Sequence, residues 1–314
     1  MKRAFSQRVR LVPWLALAVA AAVHTPGKAR AQAPAGPPAV TASAEAEGWK
    51  LIWSDEFDKP GQPDPAKWAY EEGFIRNNER QFYTRARAEN ARVEDGMLVI
   101  EARKEQFKIP APASRGKGKG RSTKGRDVAD YTSASLTTRG KASWTYGRIE
   151  VRAKLPTGRG MWPAIWTLGD NIGQVGWPAC GEIDIMENVG FDPDTICANI
   201  HTKSYNHVMG TNKGSRIKIP KPHQDFHVYA IEWRPERLDF FVDKTKYFTF
   251  QNEGKGPAAW PYDKPQYLIL NIAVGGAWGG QKGIDDGIFP QRMDVDYVRV
   301  YQRPGPGQAA PVAR

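Results

Sequence analysis

The sequence predicts an all-β protein: an antiparallel sandwich of about 260 residues that forms one domain. Strand-like runs recur at short spacing, among them FHVYAIEW, RLDFFVD, KYFTF and YLILNIAV, parted by Pro, Gly, Asp or Lys clusters. GRIEVRAKLP alternates Ile149, Val151, Ala153 and Leu155 with Arg148, Glu150, Arg152 and Lys154, the period of a half-buried strand. Helical periodicity is nearly absent; only PAKWAYEE, residues 65–72, suggests a helical turn or two.

Taken from the N-terminus, Lys2, Arg3, Arg8 and Arg10 precede the apolar run LVPWLALAVAAAV at 11–23, and Ala29-Arg30-Ala31 follows. That order predicts a cleaved secretory signal over 1–31. The run is too short for a membrane span, and no cysteine follows it to take a lipid. Residues 32–48 are Ala/Pro-rich and read as a disordered linker. The folded domain is expected over 49–302, closing on the strand DVDYVRVYQ, with a flexible tail at 303–314.

The formal charge of +11 invites a nucleic-acid partner, but its distribution argues against one. Residues 1–31 and residues 104–127 each carry +6, which leaves the remainder at −1. The basic stretch at 109–127, containing RGKGKGRSTKGR, reads either as a solvated loop or as a contact for an acidic polymer. Cys180 and Cys197 are the only cysteines. Their spacing does not suggest zinc, and buried free thiols are expected. Tryptophan is abundant, at 11 residues, which implies a large aromatic core or flat rings offered to a ligand.

GEIDIMEN, residues 181–188, sets three carboxylates into an apolar strand. Burying unpaired carboxylates is costly, so they must face water or a cleft, or share protons. A solvated face would mix Lys and Thr with the acids, and none intrudes here. Side chains alternate along a strand, so Glu182 and Asp184 share a face and Glu187 has the wrong parity. A β-bulge at Ile185-Met186 would return Glu187 to that face. Two carboxyls flanking one glycosidic bond are what glycoside hydrolysis needs, and a third between them would split their pKa values.

E-I-D-I-M-E resembles the bulged active-site signature of glycoside hydrolase family 16. The resemblance extends over nearly the whole domain, through WSDEF (53–57), NNERQFYT (77–84), YGRIEVRAKLP (146–156), GMWPAIWTLG (160–169), ANIHT (198–202), FHVYAIEW (226–233), LILNIAVGGAWGG (268–280) and MDVDYVRVYQ (293–302). The order matches the laminarinase-type members, which act on β-1,3-glucan.

The resemblance implies a curved, concanavalin-like β-jelly roll with a concave sugar cleft, and a retaining mechanism. Glu182 would be the nucleophile, Glu187 the acid/base, and Asp184 the residue that orients and tunes the nucleophile. His201 is expected to line the cleft, at least one of Trp162 and Trp166 to offer a ring to sugar, and Trp278 to sit at its rim. Asn78 would bind sugar near the cleavage point, with Asn77 the runner-up. Glu56, Gly96 and Asp296 match a structural calcium position, where a salt bridge or turn cap would explain Asp296 equally well. Catalysis should need no cofactor. The expected protein is a secreted monomer acting on β-1,3-glucan and mixed β-1,3-1,4-glucan. The alternatives are a galactan hydrolase such as an agarase and a noncatalytic β-glucan-binding protein; the latter would not need the three acids.

Overall fold

A computed structural model describes residues 48–110 and 125–303. The expected signal, nearly all of the linker and tail, and most of the basic stretch at 109–127 lie outside these residues. The strands are β1 (Lys50–Asp55), β2 (Ala69–Glu71), β3 (Gln81–Tyr83), β4 (Ala91–Glu94), β5 (Met97–Lys108), β6 (Val128–Ser133), β7 (Ser135–Thr137), β8 (Gly147–Lys154) and β9 (Met161–Gly169). They continue as β10 (Glu182–Val189), β11 (Asp192–His201), β12 (Lys213–Lys218), β13 (His227–Trp233), β14 (Arg237–Val242), β15 (Thr245–Gln251), β16 (Gln266–Val274) and β17 (Gln291–Gln302). The helices among the described residues are short, such as Ile172–Val175 and Gly276–Gly279. None is long and apolar enough to cross a membrane.

Two sheets form a jelly-roll sandwich. One runs β12-β11-β10-β9-β16-β7-β2; the other runs β15-β14-β13-β8-β17-β5-β6-β3, with β1 on β17 and β4 on β5. The pairings are antiparallel apart from β3 with β6. The core lies between the sheets. Ile183, Ile185, Met186, Leu268, Leu270 and Ile272 come to it from the seven-stranded sheet; Ile149, Val151, Ala153, Tyr229, Ile231 and Val298 come from the other. The strand period read from GRIEVRAKLP is therefore present, with its apolar set inward. Its polar set is less exposed than simple alternation implies. Glu150 is buried on the far side, where Arg148 donates to both Glu150 at 2.6 Å and Glu232 at 3.1 Å.

PAKWAYEE departs from expectation. Asp64 caps a turn through Ala66 N (2.8 Å) and Trp68 N (2.8 Å), after which Ala69–Glu71 joins β7 as strand β2. Burial of Trp68, whose indole donates to Asp55 at 2.7 Å, prevails over local helix preference. The basic stretch falls between β5 and β6, whose ends pair as Lys108 with Val128.

Candidate active site

β10 meets β9 on one side and β11 on the other, and its register breaks on both. Asp184 sits opposite Trp166 and Asn199, while Glu187 sits opposite Ala164 and Cys197. Three positions on β10 thus span two on each neighbour, a bulge at Ile185-Met186. Both bulge side chains are fully buried in the core. Glu182, Asp184 and Glu187 then all line one cleft of about 1020 Å³, together with His201, Trp162, Trp166 and Trp278.

The three carboxyls are crowded and poorly hydrated. Burial pushes each up to about 8, and the charge of Asp184 adds to the push on Glu182 and Glu187. Indole donors hold the outer two. Trp177 Nε1 donates to Glu182 Oε2 at 2.8 Å, and Trp162 Nε1 donates to Glu187 Oε1 at 3.0 Å. Asp184 Oδ2 is buried and accepts no hydrogen bond.

His201 faces Glu182 across the strand pair. Its Nε2 lies 3.3 Å from Asp184 Oδ2, without hydrogen-bond geometry, and 3.6 Å from Glu182 Oε1. Its Nδ1 accepts the backbone N–H of His207 at 3.3 Å, so the neutral ring carries its proton on Nε2, the nitrogen nearer the acids. Glu182, Asp184 and His201 bring one ligand atom each within 4.8 Å of one another, close enough to suit a metal ion. The tautomer makes His201 a proton-bearing neighbour of the acids instead, because a metal-bound imidazole needs an acceptor at its other nitrogen.

Trp162 and Trp166 both line the cleft, in different roles. Trp162 is half-buried and packs edge-on against Trp278 at 5.6 Å. Trp166 is nearly buried: its Nε1 donates to Asn271 at 2.8 Å, and the Arg76 guanidinium covers its ring at 4.8 Å. Trp278 sits half-exposed on the helix Gly276–Gly279. Asn78 is exposed and outside the cleft lining, whereas Asn77 lines it. Both asparagines take left-handed backbone (φ 54° and 50°), so strand alternation does not govern which one turns inward. Asn77 is tied down by Ala277 N donating to its carbonyl at 2.8 Å and by its own amide donating to Glu79 at 3.3 Å.

Glu56, Gly96 and Asp296 lie away from this cleft. Arg299 grips Glu56 with two hydrogen bonds of 2.9 and 2.7 Å, Arg152 pairs with Asp296 at 2.6 Å, and Gly96 has a left-handed φ of 74° in the β4–β5 turn. Cys180 and Cys197 are free and buried, and burial pushes the two thiols up to about 11 and about 12.

Four further cleft-lining residues were not singled out from sequence: Trp177, His207, Arg76 and Glu79. Trp177 stands five residues before Glu182, and that proximity to the acid strand was an available signal. Glu79 is a buried hub that accepts from Gln81 at 2.7 Å and Tyr83 at 3.2 Å; Tyr83 in turn accepts from Asn271 at 3.0 Å. That chain reaches Trp166 through side chains far apart in sequence, so no local pattern could announce it.

The model of a known family, the glycosyl hydrolases family 16, matches residues 78–299. The chain is 54% identical over 269 residues to a beta-glucanase of Rhodothermus marinus, covering 83% of this chain and 87% of that protein. The X-ray structure of the laminarinase from Rhodothermus marinus matches with a TM-score of 0.72 and 53% identity, over 81% of this chain and 97% of that one. A non-specific endo-beta-1,3(4)-glucanase matches with a TM-score of 0.73 and 49% identity, over 82% of this chain and 92% of that one. With its fold and its bulged acid strand, the chain belongs to glycosyl hydrolase family 16.

Proposed function

We propose that this protein is an endo-acting, retaining β-1,3-glucanase that also cleaves mixed β-1,3-1,4-glucan. The observation that carries this reading is the bulge that puts Glu182, Asp184 and Glu187 on one wall of an aromatic-lined cleft. The similar proteins bear the names laminarinase and endo-beta-1,3(4)-glucanase, which favours the same substrates. Family 16 glucanases need no catalytic cofactor.

In this reading Glu182 attacks the anomeric carbon while Glu187 protonates the departing glycosidic oxygen. A covalent glycosyl–Glu182 forms. Glu187, now ionised, takes a proton from water, which attacks the same carbon and releases a product of retained configuration. The first negative charge in the cluster belongs on Glu182, because Trp177 donates to it and His201 Nε2 lies 3.6 Å from it. Asp184, buried beside Glu182, orients that carboxyl and raises its proton affinity through its own charge. The Trp162 N–H on Glu187 sets that carboxyl's orientation. Trp162 and Trp278 offer ring faces to the apolar faces of glucose.

The protein is further proposed to act as a monomer after export and cleavage of its leader near Ala31. A structural calcium ion at Glu56, Gly96 and Asp296 would draw on backbone oxygens, since arginines occupy both carboxylates. A melting temperature that rises with calcium and falls with chelator would support that site; one indifferent to both would remove it. The decisive test of function is product analysis on laminarin, mixed-linkage glucan and agarose, with Glu182→Gln as control. Cleavage of agarose alone would overturn the glucanase reading.

A further inference from the structure

Seven large hydrophobic side chains are exposed among the described residues, and four of them lie on two segments that meet where Trp177 touches His207: Val175 at 48%, Trp177 at 37%, Val208 at 72% and Met209 at 62%. Trp177 is the one exposed tryptophan among the described residues, and its ring rests against His207 at 5.2 Å. Val208 and Met209 follow His207 directly in the one-turn helix His207–Met209, and Val175 ends the short helix just before Trp177. Trp177 and His207 both line the cleft, so both segments adjoin its wall.

The tip is held by its own hydrogen bonds. Buried Asn206 accepts from Met209 N at 3.1 Å and donates to the Thr202 carbonyl at 3.1 Å. Thr211 closes the loop, its hydroxyl donating to the Ser204 carbonyl at 3.0 Å and its N–H to the Asn206 carbonyl at 3.0 Å. Gly210 ends the turn with a left-handed φ of 67°. A loop fixed by its own hydrogen bonds pays little ordering entropy when a partner arrives. Exposed apolar side chains brought near one another mark a contact surface.

We propose that Val175, Trp177, Val208 and Met209 form a docking platform for polymeric glucan, carrying the chain onward from the sugars held for cleavage. The inference rests on the β-glucanase reading. A polysaccharide is the occupant these residues fit, because Trp177 also lines the cleft and a pyranose ring offers flat C–H faces to apolar side chains. Met209 adds an adaptable contact for a chain whose position along the platform varies. The platform makes polymer a better substrate than a short oligosaccharide that ends within the cleft.

The test compares wild type with Val208→Ser/Met209→Ser, both positions exposed enough that folding is not at stake. The readouts are the ratio of kcat/KM on laminarin to that on laminaritriose, and cosedimentation with insoluble curdlan. The expected result is a roughly 10-fold fall in the ratio, as for the loss of two apolar contacts, with less protein on curdlan. Val128→Ser, an exposed apolar site elsewhere, should leave both unchanged. An active wild type whose ratio is untouched by the double substitution overturns the platform alone. Sedimentation velocity that shows a wild-type dimer lost in the double variant assigns the patch to a second copy and also overturns it. A wild type inert on both glucans overturns the glucanase reading, and the platform with it.

Discussion

Asp184 and Glu187 project from the same face of β10 although they differ by an odd number of positions, because the bulge between them spends two residues on the core. Ile185 and Met186 are both fully buried there. Ile185→Ala and Met186→Ala should each therefore destabilise by about 2–5 kcal/mol, measured by denaturant unfolding. A regular strand would bury only one of the pair. A near-neutral result for either substitution would deny the bulge and leave Glu187 without access to substrate.

Glu182→Gln and Glu187→Gln should each cut laminarin hydrolysis by at least about 10³-fold, with folding and oligosaccharide binding nearly intact. The amide keeps the size of the acid and can accept the same indole hydrogen bond, from Trp177 or Trp162. Only the charge or the transferable proton is lost. Retention of most activity by either variant sinks the assignment of roles.

Much of this site is legible in the chain because the acids and their bulge are local. GEIDIMEN holds the three carboxyls and the two core residues that turn Glu187, so parity alone poses the question that the register answers. The strand pattern of β8 and β16 is legible for the same reason. What sequence hides is long-range. Trp166 looks like a sugar platform until Arg76, from another segment, covers its ring. Asn77 rather than Asn78 turns into the cleft because two left-handed residues break the alternation, and the deciding contact comes from Ala277. The His201 tautomer depends on the backbone N–H of His207, which only the fold of that loop can place.

The crowded carboxyls also set a pH dependence of stability. In the unfolded chain they titrate near 4, whereas in the fold burial holds them up at about 8. Between those values the folded state binds more protons than the unfolded, so the carboxyls cost stability as pH rises through this window, and the loss is complete above it. Glu187→Gln is neutral throughout and escapes its share. Its melting temperature relative to wild type should be higher by several degrees at pH 9 than at pH 4. An equal difference at both values would mean that Glu187 is not held protonated by its surroundings.

Trp177 offers a way to test separately the nucleophile role proposed for Glu182. Its indole N–H stabilises the ionised form of Glu182, opposing the upward push of burial. Trp177→Phe removes that donor and keeps an aromatic ring on His207. Glu182 should then titrate higher, so the acid limb of the kcat/KM profile on laminarin, where the nucleophile loses its proton, moves to higher pH. With one hydrogen bond to a charged group worth about 1.5–3 kcal/mol, the limb should move by about one to two pH units. The alkaline limb, which reports the acid on Glu187, should stay nearly where it was. A uniform fall in activity with both limbs in place would make Trp177 a packing residue, and the charge on Glu182 would then depend on His201 alone.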